Sequence, residues 1–177
     1  YMKSIVWVTS GYLLQVDLPI LDQLNKVYKI KWIVVASEKS DQWKHAKEYA
    51  QHNNIDVELF SLYHHRYLPT TYFEYAKLVE HLEKMNYDLY YFDIIAFPYL
   101  IFAIKKYLPS EKVIMAMHHG RIHNGMQLRH LYKYYLKYLC KQKFWFQYFS
   151  DTQAQYFTGN QSHRFMIPLA LNDFGQA

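Results

Sequence analysis

Short apolar runs alternate with amphipathic segments along almost the whole chain, and this alternation restricts the fold more than any other feature. The runs with the composition of buried strands are residues 4–9, 31–37, 55–62, 88–93, 112–118, 144–149 and 164–167. Strands that alternate with helices form βαβ units with parallel strands, and nearly continuous apolar strands are typical of a sheet covered on both faces. We therefore predict a three-layer α/β/α Rossmann-like domain with a mostly parallel sheet of about six or seven strands.

The first two helices have signals at their amino ends. Asp17 is predicted to cap a helix that carries Pro19 in its first turn, where proline is tolerated. Ser40 is predicted to cap a second helix over residues 41–52.

Three further helices follow. Thr71 and Glu74 have the spacing of a capping box, and the helix that they open is predicted to run to about Met85. The next helix is predicted over residues 98–108, and a long fifth helix over residues 125–141.

Length and composition limit the class of protein. The chain has 177 residues, which fits one domain, and 51% of them are hydrophobic, which excludes disorder. Cys140 is the single cysteine, so an internal disulfide is excluded and a reducing compartment is favoured. The apolar run 94–104 is too short to span a bilayer, and the chain start lacks the pattern of a secretory signal. We expect a cytoplasmic protein, either soluble or peripheral on the inner face of the membrane.

Positive charge is concentrated in one segment. Residues 112–150 contain seven Lys and Arg residues and no Asp or Glu, whereas acidic residues outnumber basic ones elsewhere. In the fifth helix a basic stripe recurs at a spacing of four residues: Arg129, Lys133, Lys137 and Lys141. Two interpretations are equally open: the stripe contacts an anionic membrane surface, or it is the solvated face of an ordinary helix. No nucleic-acid-binding module is present, so we expect no nucleic acid partner.

Ligands of parallel α/β sheets bind beyond the carboxyl ends of the strands, where the strand order reverses. At that edge we expect residues 10–12, residues 37–38, Asp93 and residues 118–120. The first turn has one glycine, Gly11, so the dinucleotide fingerprint is absent, and the chain has no P-loop. Gly11 either serves a turn that needs positive φ or allows close approach of a phosphate or sugar.

Histidines follow two of the strands. His118 and His119 end the fifth strand, but no cysteine or carboxylate nearby completes a zinc set, so we expect no metal. An imidazole at this edge can exchange hydrogen bonds with sugar hydroxyls, although an ordinary polar strand end is equally consistent with the pattern. In the loop after the third strand, Arg66 could bind an acidic or phosphorylated acceptor or simply face solvent.

Four segments together resemble the N-terminal domain of a family 4-type glycosyltransferase with the GT-B fold. They are the first strand running into Ser10-Gly11, the apolar strand 113–119 ending in histidine, the strand 144–149 running into Ser150, and residues 164–174. The last segment, RFMIPLALNDF, is similar to the family's I-P-x-G-[VI]-D-x-x-x-F junction. The chain departs from the family by lacking a second glycine in the first turn, by His119 in place of an aspartate, and by Ala170 and Asn172 in the junction.

The resemblance implies an enzyme that transfers a sugar from a nucleotide-sugar to a glycan or lipid-linked acceptor in surface polysaccharide synthesis. It implies that residues 2–171 form the acceptor-binding domain and that residues 172–177 begin a linker to a C-terminal nucleotide-sugar-binding domain. On this basis we expect no activity from the chain alone and no cofactor besides the nucleotide-sugar co-substrate.

The resemblance also assigns roles to single residues. His118 would be catalytic and contact the reacting sugar, and Gly11 would approach the donor diphosphate or the acceptor. The other expected substrate-binding residues are Tyr12, Asp93, His119 and Arg66. The alternative is a stand-alone flavodoxin-like or membrane-surface binding module without catalysis, and bound flavin would make such a protein yellow.

Overall fold

The computed structural model describes residues 2–10, 14–62, 69–94, 98–117, 129–149 and 163–166. Within these ranges, the side chains of residues 14–16, 129–133 and 136 lie outside the description. The strands are β1 (Ser4–Ser10), β2 (Lys29–Val35), β3 (Asp56–Phe60), β4 (Leu89–Asp93), β5 (Val113–Ala116), β6 (Trp145–Tyr148) and β7 (Arg164–Met166). The helices are α1 (Leu14–Leu24), α2 (Asp41–His52), α3 (Thr71–Met85), α4 (Pro98–Tyr107) and α5 (Arg129–Cys140), with a short 3-10 helix at Ser110–Lys112.

The strands form one sheet in the order β3-β2-β1-β4-β5-β6-β7. Every neighbouring pair is parallel. The order reverses between β1 and β4, because the chain extends the sheet from β1 through β2 to β3 and then returns to the other side of β1. The predicted fold class is therefore confirmed, and the crevice where such sheets bind ligands lies above β1 and β4.

Two apolar layers cover the sheet. On one face, β1 and β2 pack Trp7 and Trp32 against Leu21 of α1 and the buried alanines of α2. On the other face, the strands pack against α3, α4 and the last turn of α5, with Phe92 fully buried at the centre. Strands buried on both faces explain the continuous apolar runs in the sequence.

The observed helix ends agree in part with those predicted from the sequence. Ser40 is the N-cap of α2, as predicted, and its hydroxyl accepts a hydrogen bond from the backbone N–H of Trp43 at 3.2 Å. The N-cap of α3 is Thr70, and Thr71 is the first helical residue, so the predicted boundary was one residue late. α3 ends at Met85, and its C-cap Asn86 has a φ of 50°, the left-handed conformation that commonly stops a helix.

The prediction that Asp17 caps the first helix is wrong. α1 begins at Leu14, so Asp17 lies inside its first turn and not before it. The side chain is completely buried and accepts a hydrogen bond from β1. A carboxylate that is committed to the sheet in this way does not cap the helix end.

Candidate functional site

The carboxyl ends of β1 and β4 meet at the switch in strand order. Thr9 of β1 and Asp93 of β4 are register partners in the parallel ladder. Because side chains alternate along a strand, Thr9 and Asp93 share the sheet face of Trp7 and Tyr91, which is the face covered by α1.

Asp17 of α1 completes a polar cluster at this point. The Thr9 hydroxyl donates a hydrogen bond to Oδ2 of Asp17. The Asp17 and Asp93 carboxyl groups are hydrogen bonded to each other. Both are shielded from solvent, with exposures of 0% for Asp17 and 1% for Asp93. We refer to Thr9, Asp17 and Asp93 as the switch-point cluster.

Electrostatics in the cluster favour retention of a proton. Burial is the main cause that raises the pKa of Asp17 well above its usual range, and the hydrogen bond and charge of Asp93 raise it further. The Thr9 hydroxyl and the Trp7 indole act in the opposite direction, although within the described part of the chain the indole N–H has no hydrogen-bond partner of ordinary geometry. A carboxyl group buried beside a second one is costly to ionise, so the protonated form of Asp17 is favoured.

An aromatic pair forms the floor beneath the cluster. The rings of Trp7 and Tyr91 stack with centroids 3.8 Å apart and an interplanar angle of 24°. Burial raises the pKa of Tyr91, and the charges of Asp93 and Asp17 raise it further, so its phenol stays neutral. The floor is therefore aromatic and uncharged, and its low dielectric strengthens the electrostatic interactions above it.

Two buried polar atoms near this edge have hydrogen-bonding capacity left. Among the described residues, Oδ1 of Asp17 and Oγ of Ser10 have no hydrogen-bond partner of ordinary geometry. Buried polar groups are normally paired, so these atoms mark a place where an additional group can bind or a neighbouring loop can close. In the described parts of the chain, no group of three or more His, Cys, Asp or Glu side chains is placed to hold a metal ion.

The structure describes one of the sequence-predicted substrate and catalytic residues. Asp93 lies at the expected sheet edge, but its carboxyl is turned into the cluster and buried. Five further predicted site residues lie outside the described part of the chain and stay predictions: Gly11, Tyr12, Arg66, His118 and His119.

Sequence reasoning missed the partnership of Thr9, Asp17 and Asp93. The signal that could have revealed Asp17 is its position on the apolar stripe of α1, where it shares helical spacing with Leu21 and Leu24. A carboxylate on the buried stripe of a helix needs a polar partner, and the carboxyl end of β1 is the nearest source of one.

The basic stripe is described in part. Lys137 and Lys141 are exposed, and the neighbouring Tyr134 has 70% of its surface exposed. Arg129 and Lys133 belong to the helical backbone of α5, but their side chains lie outside the description. Among the described helices, none has the length and apolarity needed to cross a membrane.

Several solved structures share this fold. The chain matches a glycosyltransferase from Rickettsia africae with a TM-score of 0.63 and 15% identity, over 95% of this chain and 43% of that one. It matches a UDP-N-acetylglucosamine 2-epimerase from Rickettsia bellii with a TM-score of 0.62 and 11% identity, over 94% and 44% of the two chains. A short chain dehydrogenase from Salmonella enterica matches with a TM-score of 0.52 and 10% identity, over 93% and 86%.

These matches establish the fold. The chain spans less than half the length of the glycosyltransferase and the epimerase. No family model and no curated protein sequence matches the chain. Since the three similar structures carry different activities, the fold alone does not select one, and the function has to be argued from the site.

Proposed function

We propose that this chain is the acceptor-side domain of a GT-B glycosyltransferase, which transfers a sugar from a nucleotide-sugar to a glycan or lipid-linked acceptor. The observation that carries the proposal is the switch-point cluster, a buried carboxyl pair at the reversal in strand order of a sheet that the Rickettsia africae glycosyltransferase shares. The Rickettsia bellii epimerase, which matches the chain to a similar extent, is named for a nucleotide-sugar. The missing dinucleotide fingerprint argues against the nucleotide chemistry of the dehydrogenase.

In this proposal the cluster holds together the ends of the elements from which the substrate-binding residues extend. Asp17 joins α1 to the ends of β1 and β4. The environment that favours the protonated form of Asp17 lowers the negative charge of the cluster, which would favour the approach of an anionic donor diphosphate. Gly11 would allow that approach, and Tyr12 would contact the substrate beside it.

The reacting sugar would lie at the end of β5. There His118 would act as the catalytic residue, with an imidazole that can accept or donate a proton at the sugar, and His119 and Arg66 would bind the acceptor. Asp93 would act through Asp17 and through the backbone that follows β4. We assign this sugar transfer to surface polysaccharide synthesis.

The domain assignment belongs to the same proposal. Residues 2–171 would form the acceptor domain, and residues 172–177 would begin the linker to a C-terminal domain that binds the nucleotide-sugar. The protein would act in the cytoplasm at the inner face of the membrane, held by the stripe of Arg129, Lys133, Lys137 and Lys141.

Activity assays on two proteins test this proposal. The product of the complete native reading frame and the 177-residue chain are each incubated with nucleotide-sugars and a lipid and glycan extract. The expected result is sugar transfer by the former, loss of transfer in its His118→Ala variant, and none by the latter. Turnover by the 177-residue chain would contradict the domain assignment, and a yellow flavoprotein without transferase activity would contradict the function.

A further inference from the structure

Helix α4 joins α5 in one exposed surface that carries both positive charge and aromatic rings. Tyr134, Lys137, Tyr138 and Lys141 recur at helical spacings of three and four residues, so they share one face. Phe102 and Lys105, also three residues apart, occupy the adjoining face of α4. We call these six residues the α4–α5 surface.

Tyr138 connects the two helices. Its hydroxyl accepts a hydrogen bond from Nζ of Lys105 at 3.1 Å, and Nζ lies 5.3 Å from the centre of the ring. The ring of Phe102 packs edge-on against Tyr138 with centroids 5.9 Å apart. A cation held on an aromatic ring in this way stays at the surface with its charge available to a partner.

Burial and charge identify the chemistry of the partner. Phe102 is 45% exposed and Tyr134 is 70% exposed, and among the described Phe, Tyr and Trp side chains only Phe73 and Trp145 are also exposed. Lys105, Lys137 and Lys141 are exposed, and α4 and α5 contain no acidic residue. On α3, which packs against α4, Glu80 pairs with Lys84 at 3.1 Å.

We propose that the α4–α5 surface binds an anionic lipid bilayer, with the lysines on headgroup phosphates and Phe102 and Tyr134 inserted at the interface. Rings with an apolar body beside flexible cations suit the boundary between headgroups and acyl chains. This deepens the membrane contact proposed above, which rested on α5 alone, by adding α4 and its aromatic insertion. Vesicle binding requires no sugar substrate, so its failure can be distinguished from failure of the glycosyltransferase proposal.

Co-sedimentation with vesicles tests the surface. The 177-residue chain is expected to bind vesicles of phosphatidylcholine with phosphatidylglycerol, to bind pure phosphatidylcholine weakly, and to dissociate as salt is raised. A Lys105→Glu, Lys137→Glu variant is expected to bind the anionic vesicles about tenfold or more weakly. The matched control, Lys44→Glu with Lys47→Glu, reverses two exposed lysines of α2 on the opposite face of the sheet and is expected to bind as the wild type does.

A second pair of variants tests how much the aromatic rings contribute to vesicle binding. Phe102→Ser with Tyr134→Ser is expected to weaken binding while the salt dependence persists, whereas Phe73→Ser, at an exposed ring of α3, is expected to have no effect. Equal losses in the test and control variants would overturn the proposal. So would wild-type binding that is insensitive to anionic lipid and salt, or binding to a nucleic acid homopolymer without binding to vesicles; both are measured on unmodified protein.

Discussion

The carboxyl group of Asp17 on α1 is hydrogen bonded to the carboxyl group of Asp93 on β4, and both are buried. Asp93 lies beside Thr9 in the ladder, and Thr9 donates to Asp17, so one helix and two strands are tied together where the strand order reverses. A buried contact of this kind favours the protonated form of Asp17. Its titration is therefore the first property to measure.

Replacement of Asp17 by asparagine should change how stability depends on pH. The pKa of Asp17 is raised in the folded state, so above its unfolded value of 3.8 the unfolded chain loses a proton that the folded chain keeps. The wild type therefore loses stability as pH rises, by roughly 1.4 kcal/mol per pH unit at most, until Asp17 ionises in the folded state. The amide introduced by Asp17→Asn cannot titrate but can donate to Asp93, so this variant should lack the loss.

Chemical denaturation of both proteins at a series of pH values measures the effect. The quantity of interest is the difference in the free energy of unfolding between wild type and Asp17→Asn, because titrating groups away from the cluster cancel in it. Thr9→Val serves as the companion variant, since it removes the hydroxyl donor while keeping the side-chain shape. Parallel pH profiles for wild type and Asp17→Asn would show that Asp17 titrates as an ordinary carboxyl group.

Asp88 should show the opposite dependence on pH. Its carboxylate accepts hydrogen bonds from the backbone N–H of Ser4 at 2.8 Å and from the Ser4 hydroxyl at 2.9 Å. These bonds lower the pKa of Asp88, so their stabilisation is fully present above the unfolded value of 3.8 and is lost as pH falls through the folded value. Asp88→Asn should therefore lose less stability than the wild type on acidification, as followed by circular dichroism. A larger loss in the variant would contradict this.

Removal of the α2 cap should destabilise the fold. The Ser40 hydroxyl accepts from the backbone N–H of Trp43, so Ser40→Ala leaves that donor without its partner and should cost about 1 kcal/mol. Thr70→Ala is the matched control, because Thr70 is an N-cap whose side chain makes no capping hydrogen bond, and its cost should stay within about 0.5 kcal/mol. Urea denaturation compares the two variants; equal costs would count against the capping assignment.

Truncation in the core should be far more costly than truncation at the surface of the same helix. Leu82 of α3 is completely buried, so Leu82→Ala should cost about 2–5 kcal/mol through lost burial and the cavity left behind. Phe73 of α3 has 66% of its surface exposed, so Phe73→Ala should change the free energy of unfolding by about 0.5 kcal/mol or less. Thermal and urea unfolding provide both values, and a large cost at Phe73 would show that its ring is covered in solution.

The fold was predictable because the two sequence patterns that determine it, the apolar strand runs and the helix caps, are local. β-branched runs such as residues 31–37 predicted the strands. In the structure this strand is Lys29–Val35, and its place in the order of elements is as predicted. Ser40 was predictable because its capping bond reaches only three residues along the chain. The amino end of α3 was harder to predict, because Thr70 and Thr71 are adjacent and both suit an N-cap.

Only the position of the site in the fold was predictable from the sequence, and the contacts within it were not. Strand ends alone placed Asp93 at the carboxyl edge. Its partner Asp17 lies on another element, and a one-dimensional pattern does not report which helix residue reaches which strand. The local rule that places aspartate at helix starts gave the wrong role, because tertiary burial against Thr9 outweighed it.

Sugar transfer by the product of the complete native reading frame tests the central claim most directly. The protein is incubated with nucleotide-sugars and a lipid and glycan extract, and mass spectrometry follows both nucleotide release and the mass added to the acceptor. We predict an acceptor that gains one sugar as nucleotide is released, in the wild type and in Lys44→Glu but not in His118→Ala. Intact nucleotide-sugars in every sample, or oxidation of NADH by the same protein, would contradict the claim.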